Sequence, residues 1–186
     1  GKQDQYSAVF GGFNLMEFKK DGKTIVNPLR IDKQTINELE CSLLLYYNGR
    51  SRSSAKIIDE QIKNTKNKNE KTVDAMHILK QCAFDMKDSI LIGDIENFAQ
   101  ILRETWENKK KTSSIVSNKD LETVINFAMA NGAEAVKVSG AGGGGFLMLY
   151  TNPMNRQQLI DAMKNLDGII YPVKFSKSGV ESWVID

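Results

Sequence analysis

The sequence predicts an α+β domain in which helices layer onto a mostly antiparallel sheet. Three observations carry that prediction. Apolar residues recur at helical spacing through residues 73–90, 95–106 and 121–128. Short apolar runs of strand length, Leu43-Leu-Leu-Tyr-Tyr47 and Phe146-Leu-Met-Leu-Tyr150 among them, are bounded by asparagine and glycine. A run of glycines joins two of the strand-like segments, where a sharp or bulged hairpin is one reading.

Taken in order, residues 1–9 read as a helix end or a loop closed by Gly11-Gly12. Asn14-Leu-Met-Glu-Phe18 reads as a strand, Lys19-Lys-Asp-Gly22 as a turn and Thr24-Ile-Val26 as the returning strand, because Asp-Gly between apolar runs signals a hairpin. Asp32 is placed to cap a short helix carrying Ile36 and Leu39. The run at 43–47 reads as a buried strand. After Gly49-Arg-Ser-Arg-Ser-Ser54 come Ile57, Ile58 and Ile62 at helical spacing; the serines suit a cap and the two arginines an anion, and both readings stay open together.

Residues 63–71 are rich in lysine and asparagine without periodicity and read as a solvated loop. A long amphipathic helix follows on Val73, Met76, Ala83, Met86 and Ile90, with His77 on or beside its stripe and expected to be packed rather than catalytic. Asp94 caps the next helix, whose Ile95, Phe98, Leu102 and Trp106 share a face; Lys109-Lys-Lys111 at its end complements the helix dipole. Asn118 or Asp120 opens a third helix that closes at Asn131-Gly132. Residues 154–166 form a helix entered through Asn152-Pro153, residues 169–175 a strand that Pro172 confines to an edge or a bulge, and residues 180–184 alternate like a last strand.

Composition limits function. A chain of 186 residues with 41% hydrophobic and 26% charged residues suits one globular domain or slightly more. A net charge of +2 offers no electrostatic case for nucleic acid or a membrane surface. Two cysteines, Cys41 and Cys82, and one histidine are too few for a structural zinc site or a disulfide framework, so no metal ligands are assigned within the chain. No apolar run approaches a membrane span and no secretory leader is visible, so a cytoplasmic location is expected. Gly1-Lys-Gln-Asp-Gln-Tyr6 reads as the interior of an element, and a fragment of a longer protein is expected.

The chemistry concentrates in Lys137-Val-Ser-Gly140-Ala141-Gly142-Gly143-Gly144-Gly145. Successive backbone N–H groups with a lysine at the head suit an anion nest, while a bulged hairpin accommodates the same glycines. No Gly-Lys-Ser/Thr and no helix follow, which excludes a Walker A loop, and the strand behind it excludes a Rossmann fingerprint.

With Gly1–Gly12, Gly49-Arg-Ser-Arg-Ser-Ser54, Glu104-Thr-Trp-Glu-Asn-Lys-Lys110 and Asn131-Gly-Ala133, the glycine run resembles the GHMP kinases. Within them the chain is most similar to the bacterial D-glycero-D-manno-heptose 7-phosphate kinase branch. The resemblance implies a C-terminal domain with a ferredoxin-like layer of antiparallel strands and helices over residues 49–186, preceded by the end of an S5-like N-terminal domain over 1–48. It implies transfer of the γ-phosphoryl of ATP to the anomeric hydroxyl of a heptose 7-phosphate. Asp4 matches the candidate base, Lys137 and Gly140–Gly145 the loop facing the triphosphate, and Arg50, Arg52 and Ser53 the surroundings of the sugar phosphate. Ser139 is assigned no role.

The family's Gly-Leu-Gly-Ser-Ser-Ala loop and its Mg²⁺ ligands do not occur in the chain, so the metal is expected to be held elsewhere and this portion alone is expected to be inactive. The alternatives are another sugar kinase of fucose kinase type, or a non-catalytic ligand-binding or interaction module. A sugar phosphate is the expected partner, and a homodimer is a candidate assembly through apolar surface left bare by truncation.

Overall fold

A computed structural model describes residues 2–49 and 54–184. Helix α1 (Lys2–Phe10) precedes a hairpin of β1 (Asn14–Phe18) and β2 (Thr24–Pro28), paired from Asn14 with Pro28 to Phe18 with Thr24. Asp32 caps α2 (Lys33–Ser42) by accepting from the Gln34 amide at 2.6 Å, and the chain passes directly into β3 (Leu43–Tyr47). Then follow α3 (Ser54–Lys66), α4 (Glu70–Ile92), α5 (Ile95–Lys110), α6 (Lys119–Ala130), β4 (Ala133–Val138), β5 (Phe146–Thr151), α7 (Arg156–Met163) and β6 (Ile169–Pro172). Asn69, Asp94 and Asn118 cap α4, α5 and α6, each accepting a backbone N–H at 3.0–3.1 Å.

The main sheet has the order β4-β5-β3-β6, and all its pairs are antiparallel. Strand pleating sends alternate side chains to opposite faces. On one face Leu44, Tyr46, Val136, Val138, Leu147 and Leu149 meet Ile57 of α3, Leu121, Ile125 and Ala128 of α6, and Leu159 and Met163 of α7. On the other face Leu43, Ala135 and Tyr150 meet Leu39 of α2, Ile90 of α4, and Ile95, Phe98 and Leu102 of α5. Helices therefore cover both faces, and α5 also sends Trp106 into the first core around the β4 edge. Strand β3 precedes the expected division at residue 48 yet sits between β5 and β6, so the sheet spans that division.

Four local expectations are corrected. Most of residues 63–71 is helical: α3 runs to Lys66 and α4 starts at Glu70, leaving a three-residue link capped by Asn69. Polar side chains at exposed helix positions carry no periodicity, which is why the stretch resembles a loop.

The buried face of α4 is Thr72, Ala75, Cys82, Ser89 and Ile90: Ile90 is buried and Met86 packs against the core as expected, whereas Thr72, Ala75 and Cys82 are buried in place of their neighbours Val73, Met76 and Ala83. Small residues let α4 approach α5 closely, and a count of large apolar residues overlooks them. His77 faces solvent rather than the packed side. Residues 180–184 form no strand; Val180, Trp183 and Val184 are exposed, and the segment meets the main fold where the Val180 amide donates to Val9 at 3.2 Å. Both edges of the main sheet, β4 and β6, leave this segment unpaired.

The edge placement of Pro172 agrees with its missing N–H, since β6 pairs on one side only.

Candidate phosphate-binding site

Residues 139–145 connect the adjacent strands β4 and β5, whose register runs to Val138 opposite Leu147. One further backbone bond, Ser139 N–H to Phe146 carbonyl at 2.8 Å, extends the ladder before the chain opens into the loop. Gly142 has φ +110, and a Cβ there would lie 3.0 Å from the Val116 carbonyl oxygen and 3.1 Å from Val116 Cγ1. The backbone approaches its neighbour so closely that only glycine fits without movement. Gly140, at φ +66, has open space where a Cβ would point.

The far arm of the loop is tied down. The Gly143 amide donates to Val116 at 2.7 Å, the Gly145 amide to Asn48 Oδ1 at 3.1 Å, and the Asn48 amide returns to the Gly145 carbonyl at 3.2 Å. Asn118 Nδ2 reaches the Gly143 carbonyl at 3.5 Å. Among the described residues, the amides of Ala141, Gly142 and Gly144 donate to no protein acceptor.

Val116 itself is held from α3. Glu60 accepts from the Ser114 amide and hydroxyl, both at 2.9 Å, and from the Ser113 hydroxyl at 3.0 Å. The Ser114 amide, then its hydroxyl, hold the Glu60 carboxyl below its ordinary range.

Two lysines approach the near arm. Lys137 lies on β4 opposite Met148, on the sheet face covered by α2, α4 and α5. Burial pushes its ammonium below the usual lysine range, with the Cys82 thiol acting weakly in the opposite direction. Lys109, in the last turn of α5, donates to the Val138 carbonyl at 3.4 Å and to the Gly140 carbonyl. Burial first, and the Lys137 charge second, lower it to about 8. Neither lysine pairs with a carboxylate among the described residues. Partly desolvated ammonium groups without acids are costly unless an anion compensates them. Together with free amides on a glycine loop, they are a donor set suited to phosphate oxygens.

Beyond the loop, a cleft of about 370 Å³ is lined by Tyr46, Asn48, Asn118, Gly143 and Asp167 among others. A larger cleft of about 490 Å³ lies away from this chemistry, between β2, α2 and residues 175–177.

The structure thus gathers Lys137 with Gly140, Ala141, Gly142, Gly143, Gly144 and Gly145. Asp4 is exposed in the first turn of α1, a helix that touches Phe18 through Tyr6 (ring centroids 5.7 Å apart) and residues 178–180. Arg50, Arg52 and Ser53 lie outside the described residues. Lys109 is the residue that sequence reasoning passed over. Its position in a terminal lysine cluster satisfied the helix dipole, and nothing in the sequence joins it to carbonyls about thirty residues later.

Comparison with known proteins fits this geometry. Residues 86–167 match the family described as GHMP kinases C terminal. The chain is 43% identical over 185 residues to D-glycero-alpha-D-manno-heptose 7-phosphate kinase of Campylobacter jejuni, covering all of this chain and 54% of the relative. It is 28% identical over 151 residues to L-fucokinase/L-fucose-1-P guanylyltransferase of Bacteroides fragilis, covering 80% of this chain and 16% of that protein. The crystal structure of a D-glycero-D-manno-heptose 1-phosphate kinase from Bacteriodes thetaiotaomicron superposes with a TM-score of 0.75 at 36% identity, covering all of this chain and 49% of that one. The chain spans about half the length of the heptose-phosphate kinases it matches.

Proposed function

We propose, because the chain carries a GHMP kinase C-terminal domain, that it is the C-terminal part of an ATP-dependent kinase that phosphorylates the anomeric hydroxyl of D-glycero-D-manno-heptose 7-phosphate. The observation that carries this reading is the loop at 139–145: a glycine backbone whose amides at Ala141, Gly142 and Gly144 are unused among the described residues, flanked by two ammonium groups that no acid of those residues neutralises. Similarity to two heptose-phosphate kinases supports the sugar class.

In this reading the loop holds phosphate oxygens of ATP through the amides of Ala141, Gly142 and Gly144, and Lys137 contributes charge. Stabilising the charge of a transferring phosphoryl group by fixed donors accounts for most of the acceleration in such reactions. Asp4 takes the proton of the acceptor hydroxyl, and its carboxylate is exposed and thus accessible. Arg50, Arg52 and Ser53 lie at the sugar phosphate, and one of the two arginines holds its distal phosphate, which arginine grips bidentately. Mg²⁺ is bound by residues outside this chain, where it neutralises the phosphate charge, and the chain alone is inactive. No helix of the described residues is long and apolar enough to cross a membrane, and a cytoplasmic enzyme acting on a phosphorylated sugar is consistent with that.

The test is phosphoryl transfer by the full-length protein to heptose 7-phosphate, fucose and galactose in parallel. Turnover of the heptose 7-phosphate above the other two is expected; preference for fucose moves the assignment to a fucose kinase. Arg50→Ala and Arg52→Ala variants are expected to raise KM for the sugar phosphate, and an unchanged KM removes both residues from the substrate site.

A further inference from the structure

The lysines at the end of α5 do not share one environment. Lys110 pairs with Glu107 at 2.8 Å and Glu122 at 3.8 Å, and lies over the Trp106 ring at 5.9 Å. Lys111 donates to Asn108 Oδ1 at 2.9 Å. Lys109 instead turns toward the glycine loop, away from any acid among the described residues, and spends two of its three N–H donors on Val138 and Gly140. A lysine that served only the helix dipole would keep its charge in water, as an exposed terminal lysine does. Lys109 is half-buried beside a second ammonium, that of Lys137. That arrangement works against folding and is retained where a negative ligand offsets it.

Resting on the phosphate-loop reading above, we infer that Lys109 is a positioning residue for that loop's anion. Its ammonium clamps the loop's first arm through the Val138 and Gly140 carbonyls, and with Lys137 it supplies the positive floor that a polyphosphate neutralises. The far arm is already held by Asn48, Asn118 and Val116. Lys109 is the corresponding tie on the near arm, so both ends of the run 141–144 are fixed while its free amides face the ligand. Among the described residues, the titratable groups that act on it and on its neighbour are Lys137 from β4 and, next to that lysine, Cys82 from α4. A polyphosphate therefore raises the proton affinity of Lys109, and binding near pH 8 draws a proton onto it.

The test is calorimetric titration of the intact protein with ATP, and with inorganic tripolyphosphate as a phosphate-only probe, at pH 8 in two buffers of different ionisation enthalpy. Wild type is expected to take up a fraction of a proton on binding. Lys109→Met is expected to bind both probes at least tenfold more weakly without proton uptake, and to raise KM for ATP with the sugar KM unchanged. Lys109→Arg is expected to recover most of the affinity while still showing no uptake, since guanidinium stays protonated; because it keeps the fold and the charge, it decides the matter even if the methionine variant does not fold. Lys110→Met serves as the neutral control.

Wild-type affinity in Lys109→Met, undiminished proton uptake in Lys109→Arg, or equal losses in Lys110→Met would overturn the inference. If Lys137→Met and Gly142→Ala weaken tripolyphosphate binding while Lys109→Met does not, this inference fails and the loop reading stands. If none of the three weakens it, the loop reading itself fails.

Discussion

Replacing Gly142 with alanine tests the loop geometry most directly, because Gly140→Ala makes the same chemical change at a site the structure treats differently. At Gly142 the new Cβ would sit 3.0 Å from the Val116 oxygen and 3.1 Å from Val116 Cγ1, with φ at +110. Holding an L-residue in such a conformation costs roughly 1–3 kcal/mol. Val116 is fully buried and its carbonyl already accepts from the Gly143 amide at 2.7 Å, so it cannot withdraw without breaking that bond. Crowding of this kind adds about 1 kcal/mol at the low end of overpacking costs, giving roughly 2–4 kcal/mol in all.

At Gly140 the φ of +66 lies in the left-handed well that L-residues do visit, and nothing stands within 4 Å. Its cost is roughly 1–2 kcal/mol, and the stiffer unfolded chain, worth about 0.4–1 kcal/mol, offsets both substitutions alike. The two variants should therefore differ by about 1.5 kcal/mol, which corresponds to roughly tenfold in an equilibrium constant. Urea unfolding reads this as a larger loss of stability in Gly142→Ala, or, if the loop yields locally instead, ATP titration reads it as a larger loss of affinity. Equal effects of the two substitutions in both assays would refute the claim that Val116 contact shapes this loop.

Further outcomes follow from the packing. Leu149→Ala, at a fully buried position of β5 between Leu44 and Val136, should cost about 3–5 kcal/mol in urea unfolding. Glu60 titrates below its ordinary value of 4.5, so its contribution is present above that pH and is lost as the pH falls through the lower native value. The stability difference between wild type and Glu60→Gln should accordingly shrink on acidification below pH 4.5, as measured by unfolding at a series of pH values. Trp183 is 79% exposed whereas Trp106 is 2% exposed. Trp183→Ser should therefore change unfolding by less than about 0.5 kcal/mol and remove the acrylamide-accessible part of the fluorescence.

The parts legible in the sequence share one property: their cause is local. Asp32, Asp94 and Asn118 cap the helices expected of them, because a cap needs only a side-chain oxygen two or three residues from an amide. The stripe Ile95, Phe98, Leu102 and Trp106 was visible because large apolar residues spaced on one helical face have few other uses. Of the α4 stripe only Met86 and Ile90 were, because Thr72, Ala75, Cys82 and Ser89 are buried for their small size rather than their hydrophobicity. For residues 180–184, alternation alone suggested a strand, but a strand exists only where another edge accepts it, and that is a property of the assembled sheet.

The α+β class, the caps and the glycine run with Lys137 as the place to look for phosphate chemistry are all written in the order of residues. Each of these follows from residues close together in the chain. Folding is what brings Val116 against Gly142, closes the loop with Asn48 at the end of β3, and draws Lys109 out of its lysine cluster to Val138 and Gly140. These contacts join residues from about 26 to 97 positions apart, and which partner sits there depends on how α5 and β3 dock against the β4–β5 pair. Burial, which lowers both ammonium groups, has the same origin: it is created by packing, and no window of sequence contains it.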